Sequence, residues 1–160
     1  MINLFPKNNR WLRQGAFSLV AFLWCYAIYI HQQLPSRIPV HFALNGEPDR
    51  MGSRDTIWIL CGIATMLFVL LTLISQYPQS FNYPAKITQD NKVYQHQLAV
   101  QLMCRLNISI LLVFIFCLIE IKIAAKKKSL PFHGWELQLI LALVFLPTIL
   151  YLVKSLRNRQ

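Results

Sequence analysis

Four long apolar blocks, separated by polar connections, set the pattern of the chain. The first, AFSLVAFLWCYAIYI, runs from Ala16 to Ile30, and the second, TIWILCGIATMLFVLLTLIS, from Thr56 to Ser75. The third, LAVQLMCRLNISILLVFIFCLIEI, runs from Leu98 to Ile121, and the fourth, GWELQLILALVFLPTILYLV, from Gly134 to Val153. A helix needs about 20 such residues to cross a hydrocarbon core of about 30 Å. The first block is short by itself, and Gly15 with its neighbours extends it. The pattern predicts spans over 14–31, 56–75, 98–121 and 134–153. The expected fold is an all-α integral membrane protein. It is a four-transmembrane-helix bundle forming one membrane domain over 1–160, with a structured Pro-rich extracytoplasmic loop between helices 1 and 2. Lys7, Arg10 and Arg13 precede the first block, but no small-x-small cleavage site follows it, so it reads as a retained span rather than a signal peptide.

Composition supports this pattern. The chain is 56% hydrophobic with a mean hydropathy of +0.43, above the roughly 45–50% apolar content of soluble domains. A net charge of +10 on a soluble domain would point to nucleic acid. Here Lys and Arg flank the apolar blocks, where they meet anionic headgroups, so the expected partner is the lipid bilayer and not nucleic acid. Cys25, Cys61, Cys104 and Cys117 all lie inside apolar blocks, without metal-ligand spacing, and read as small apolar residues. The basic residues before the first block and the C-terminal KSLRNR favour both termini on the cytoplasmic side, while Lys126, Lys127 and Lys128 after the third block oppose it. The first span usually dominates, and the first connection is then expected to face outward.

That connection, His31 to Asp55, is richer than a simple return needs. Pro35 and Pro39 push Leu34 and Ile38 into extended conformations, which predicts an extended arm and one strand. Asn45-Gly46 suits a tight turn. Pro48 predicts that the return arm is a poor strand, and Ser53 or Asp55 is the expected cap of the second helix. In the second connection, Gln76 to Asn91, Pro78 and Pro84 break helix, and Tyr77, Phe81 and Tyr83 suit the interfacial belt. Thr88 is the expected N-cap of a third helix beginning near Gln89, with Asp90 favouring its dipole. The third connection, KIAAKKKSLPFHG, reads as a basic surface turn.

The stretch LPSRIPVHFALNGEPDRMGSR closely resembles the signature of the bacterial membrane-protein family called domain of unknown function 1648. The residues that carry the resemblance are Leu34, Pro35, Ile38, Pro39, His41, Phe42, Gly46, Pro48 and Asp49. A second matching segment supplies Phe81, Asn82, Tyr83, Pro84, Lys86 and Thr88, followed by Asp90 and Asn91. The best-understood relatives are SdpI-type toxin immunity proteins. The resemblance implies a multi-span membrane architecture and an immunity role. Those relatives are longer, with a further membrane region not found here, and Arg54 stands where the family often has lysine.

Three chemical readings compete at these residues. His41, Glu47 and Asp49 in one small loop, completed by His133 and Glu136, would make a divalent-metal site. His41 with Asp49 also has the outline of a base with an orienting carboxylate, but no nucleophile, HExxH, phosphate loop or dinucleotide fingerprint accompanies it. The favoured reading is architectural: His41 and Asp49 bond loop backbone, and Glu47 pairs with Arg50 or Arg54. No cofactor is expected. Inside the third block, Arg105 is expected to snorkel toward headgroups, close to Asn107. Glu120 lies fifteen positions on, about 22 Å away, and is expected to pair with Arg37, Arg50 or Lys122. Pro147 predicts a kink in the fourth helix.

The sequence thus points to a non-enzymatic inner-membrane protein of bacteria with an immunity or envelope-sensing role. Its binding or loop-organising residues are Pro39, His41, Phe42, Gly46, Glu47, Pro48, Asp49 and Arg54. A secreted peptide or another membrane protein is the expected partner. The alternatives are an accessory subunit of a larger membrane complex and a metal-binding protein using His41.

Overall fold

The computed structural model describes residues 9–43, 48–127 and 135–157, with Phe42, Lys127 and residues 135–137 described by backbone alone. Four helices dominate: α1 (Arg10–His31), α2 (Thr56–Ile74), α3 (Lys92–Lys127) and α4 (Trp135–Arg157). A two-stranded sheet, β1 (Arg37–Phe42) and β2 (Pro48–Ser53), lies between α1 and α2. Among the described residues, these four helices are long and apolar enough to cross a membrane. α1, α3 and α4 run past the expected spans, and α2 ends one residue short of its own. α1 begins at Arg10, before residue 14, and α3 covers 36 residues, so its axis is about 54 Å long against a core of about 30 Å.

α3 is the spine. Ala16, Leu23, Ala27 and Ile30 of α1, Ile57, Cys61, Ala64 and Phe68 of α2, and Leu111, Ile115 and Leu118 of α3 form one buried core. The small residues among them let the backbones approach closely. Phe17 meets Phe68 edge-on at 5.0 Å, and the Trp24 indole stacks on Trp58 while donating Nε1–H to Thr65 Oγ1 at 3.0 Å.

The cross-helix contacts fix a stagger. Leu12 of α1 packs beside Val100 and Cys104, and Asn107 donates to Thr72 Oγ1 of α2 at 3.1 Å, so α1 and α2 lie against the later part of α3. α4 pairs lower down: Tyr151 packs with Leu98, Ala99 and Leu102, and the Ser155 hydroxyl donates to Gln95 Oε1 at 2.6 Å. The first turns of α3 therefore project past the start of α1 and are covered by α4 and the 76–91 connection. α4 continues through Pro147 as one helix.

The return arm differs from expectation. β2 is a true strand that opens on Pro48, because a proline at the first residue of a strand costs no internal ladder bond. The pairing is antiparallel and runs Arg37↔Ser53, Ile38↔Gly52, Pro39↔Met51, His41↔Arg50 and Phe42↔Pro48. Val40 is thus an extra residue on β1, and Asp49 an extra residue on β2. Ile38 is fully buried in the helical core, and Val40 packs against it, so β1 lies on the bundle. The Asn45-Gly46 turn lies outside the described residues.

Of the two expected helix caps, that of α2 is corrected and that of α3 is found. Asp55 occupies the N-cap position of α2 but makes no side-chain cap bond, because its carboxylate is engaged by His31 and Ser53. α3 starts at Lys92 rather than near Gln89. Thr88 caps the turn that leads into it: its C=O accepts the Lys92 N–H at 3.0 Å, and Thr88 and Asn91 bond reciprocally, each backbone N–H donating to the other's side-chain oxygen, at 2.9 and 3.3 Å.

Candidate functional site

The two irregularities in the hairpin bring its chemistry together. With Val40 and Asp49 each unpaired in the ladder, His41 Nδ1 lies 2.6 Å from Asp49 Oδ1. The expectation that these two side chains bond loop backbone is replaced by a direct imidazole–carboxylate pair. Both are open to solvent, with side chains 59% and 47% exposed. In a neutral imidazole facing an ionised carboxylate, Nδ1 carries the proton and Nε2 is the acceptor. His41, Asp49 and Arg50 line an open groove of about 310 Å³ on this face. The groove offers a cation, an anion and a ring acceptor to a polar ligand.

Other motif residues hold the hairpin to the helices. Pro39 is buried opposite Met51. Arg54 donates its backbone N–H to Ser36 O at 3.1 Å and its guanidinium to Leu34 O at 3.3 Å, clamping the exit of α1 to the entrance of α2. Gly46 and Glu47 lie outside the described residues, as does His133, and Glu136 falls in the first turn of α4. Among the described residues, no three His, Cys, Asp or Glu side chains gather as a metal site.

A second pair was not expected from the sequence. His31, the last residue of α1, places Nε2 2.8 Å from Asp55 Oδ1, and its ring lies 5.0 Å from that of Trp58. The Ser53 hydroxyl donates to Asp55 Oδ2 at 2.9 Å and accepts the Asp55 N–H at 3.2 Å. The His31 bond first, and the Ser53 bond after it, hold the Asp55 carboxyl below the usual carboxylate range. The signal in the sequence was positional: His31 and Asp55 bracket the connection, so any hairpin that returns the chain must bring them close.

The second motif folds at the opposite end. Tyr83 donates its hydroxyl to Pro78 O at 2.6 Å and stacks between Phe81, at 6.4 Å, and His96, at 5.6 Å. Burial, reinforced by Tyr151, pushes the Tyr83 phenol up to about 12. Asn91 donates to Lys86 O at 3.0 Å, and Ala85 beneath is buried, while Asn82, Pro84 and Lys86 face outward. Along α3, Arg105 and Glu120 are half-buried, and the Lys122 ammonium lies over Tyr29, 4.6 Å from the ring centre. The buried Asn107 Oδ1 has no hydrogen-bond partner among the described residues and borders a cavity of about 10 Å³, room for one water.

Residues 18–65 match the family described as "Domain of unknown function (DUF1648)". A protein of Archaeoglobus fulgidus described as "Uncharacterized protein" is 38% identical over 89 residues, which covers 47% of this chain and 49% of that protein. The chain therefore spans about half the length of this curated relative. No solved structure matches the chain. The stretch that matches the domain of unknown function is the hairpin with its His–Asp pairs, together with the parts of α1 and α2 that carry it.

Proposed function

We propose that the chain is a non-enzymatic, four-span protein of the bacterial cytoplasmic membrane that presents its 34–54 hairpin outward to recognise a secreted peptide. Its role is immunity to that peptide or sensing of envelope stress. The observation that carries this reading is the division of labour in the hairpin. Ile38 and Pro39 are buried against the bundle, while His41, Asp49 and Arg50 stay open as a groove. A polar face held rigidly on apolar helices is suited to binding at a membrane surface. The solvent-side edge of a two-stranded sheet also offers unpaired backbone groups to an extended peptide. Both termini lie on the cytoplasmic side in this reading, in keeping with Arg10 and Arg13 before α1 and Lys154 and Arg157 ending α4.

Two experiments test it. In a cysteine-free background, a single cysteine at position 45 is labelled by an impermeant maleimide in intact cells; protection from the reagent overturns the orientation. Sensitive cells expressing the chain are then challenged with culture supernatant from a toxin-producing strain. Survival that rises with the intact chain and falls with Asp49→Ala supports recognition. No protection, with membrane expression confirmed, overturns it.

A second reading, an accessory subunit of a membrane complex, is favoured by α4. Phe145, Leu146, Ile149 and Val153 are exposed on this helix, a surface that suits another span as well as lipid. Copurification in mild detergent distinguishes the two.

A further inference from the structure

At the end of the bundle where α1 begins and α4 ends, α3, α4 and the second motif leave a cleft of about 280 Å³. Phe81, Leu102, Met103 and Tyr151 wall it, and the buried Ala99 lies between them. Ile74, the last residue of α2, also borders it. The exposed Asn82 is its one polar side chain apart from the tyrosine hydroxyl.

The surroundings of this cleft are cationic. Lys154 follows Tyr151 by three residues and so stands on the same face of α4, one turn nearer the end. Lys92 begins α3 one turn before His96, which stacks on Tyr83 of the second motif. Lys86 and Arg157 belong to the same end, and the one described carboxylate there is Asp90. An open apolar cleft at an end of the bundle whose described charges are mostly basic is matched by one ligand chemistry, an acyl chain joined to a phosphate. We propose that this cleft is a binding site for an anionic phospholipid, its acyl chain against Ala99, Leu102 and Tyr151 and its phosphate on Lys92 and Lys154. Basic recesses between membrane helices bind anionic headgroups by the same physics. The Tyr83–His96 stack then lies at headgroup depth, where amphipathic rings are favoured. This inference rests on the membrane reading above, and it gives the second motif a role separate from the hairpin.

The full chain is purified in mild detergent and titrated with phosphatidylglycerol or phosphatidylcholine of identical acyl chains, with bound lipid counted by native mass spectrometry. Phosphatidylglycerol is expected to be retained at least about fivefold better, roughly the contribution of one lysine at a lipid surface. Lys92→Gln with Lys154→Gln is expected to remove that preference while keeping chain binding. Asn82→Trp, an exposed position on the rim, is expected to block both lipids without disturbing packing, and Ala99→Phe to block them from within. Equal retention of the two lipids by the intact chain overturns the site, as does undiminished binding by folded Asn82→Trp. Failure of the membrane reading is distinguishable: the chain would then leave the membrane fraction without detergent, before any lipid is counted.

Discussion

Gly52 offers a direct test of how the hairpin is built. It pairs with Ile38, the residue that anchors β1 in the helical core, and faces the extra residue Val40 on the other strand. A Cβ built on Gly52 would lie 2.8 Å from Val40 Cγ1 and 3.1 Å from Cγ2. Valine has little χ1 freedom and cannot swing both methyl groups away. Gly52→Ala is therefore an overpacking change, with a cost of about 1–3 kcal/mol. If the strain is released by local opening, hydrogen exchange of the 36–54 amides should accelerate about fivefold to about 150-fold, since 1.4 kcal/mol is a factor of ten. The Arg54 N–H bonded to Ser36 O is the sharpest reporter. Val40→Ala alone loses some packing, but combined with Gly52→Ala it should recover most of the protection. Exchange–mass spectrometry on the detergent-solubilised chain reads all four states of the cycle. Unchanged exchange in Gly52→Ala, or a double variant no better than the sum of the singles, would refute the claim that Val40 closes on the glycine.

Three further outcomes are expected. Asp55 is held as a carboxylate by His31 and Ser53, so its folded value lies below its unfolded one. The stabilisation is present above the ordinary carboxylate range and is lost as pH falls through the lower folded value. A carboxyl titration by NMR should show His31→Gln moving Asp55 back up, and no movement would sink the pairing. Ser155→Ala leaves the fully buried Gln95 without that hydroxyl donor and should cost about 1–3 kcal/mol in thermal unfolding, whereas the same change at the exposed Ser80 should be near neutral. Tyr83 is held neutral up to about 12, above its ordinary value. The packing of the second motif should therefore persist at neutral pH and be lost as pH rises from about 10 through 12, followed by ultraviolet phenolate absorbance against Tyr83→Phe.

The helical frame was legible because it depends on block length. Runs such as TIWILCGIATMLFVLLTLIS leave little choice, and α2 ends within one residue of its expected boundary. Local rules were less reliable where two of them competed. Pro48 argues against a strand, but its missing N–H has no cost at a strand's first position, and the ladder forms. Asp55 is a sound cap by residue type, but a histidine twenty-four positions earlier claims its carboxylate. Thr88 was legible as a cap by residue type, and the structure adds the return bond from Asn91, three positions on.

The stagger of α4 shows most clearly what periodicity leaves out. The pattern treats the four apolar blocks as equal, but the pairs Asn107–Thr72 and Gln95–Ser155 set α2 and α4 at different heights on α3. An antiparallel pair of helices is fixed in register by a single buried polar bond, because sliding by one turn would leave both partners unpaired in apolar surroundings. Gln95 and Ser155, sixty positions apart, are therefore more than a satisfied pair. They hold α4 low enough for Tyr151 to wall a cleft beside the second motif, while the other end of α3 is left clear for β1. The hairpin and the 81–91 segment thus sit at opposite ends of one helix about 54 Å long, and each reaches its position through α3.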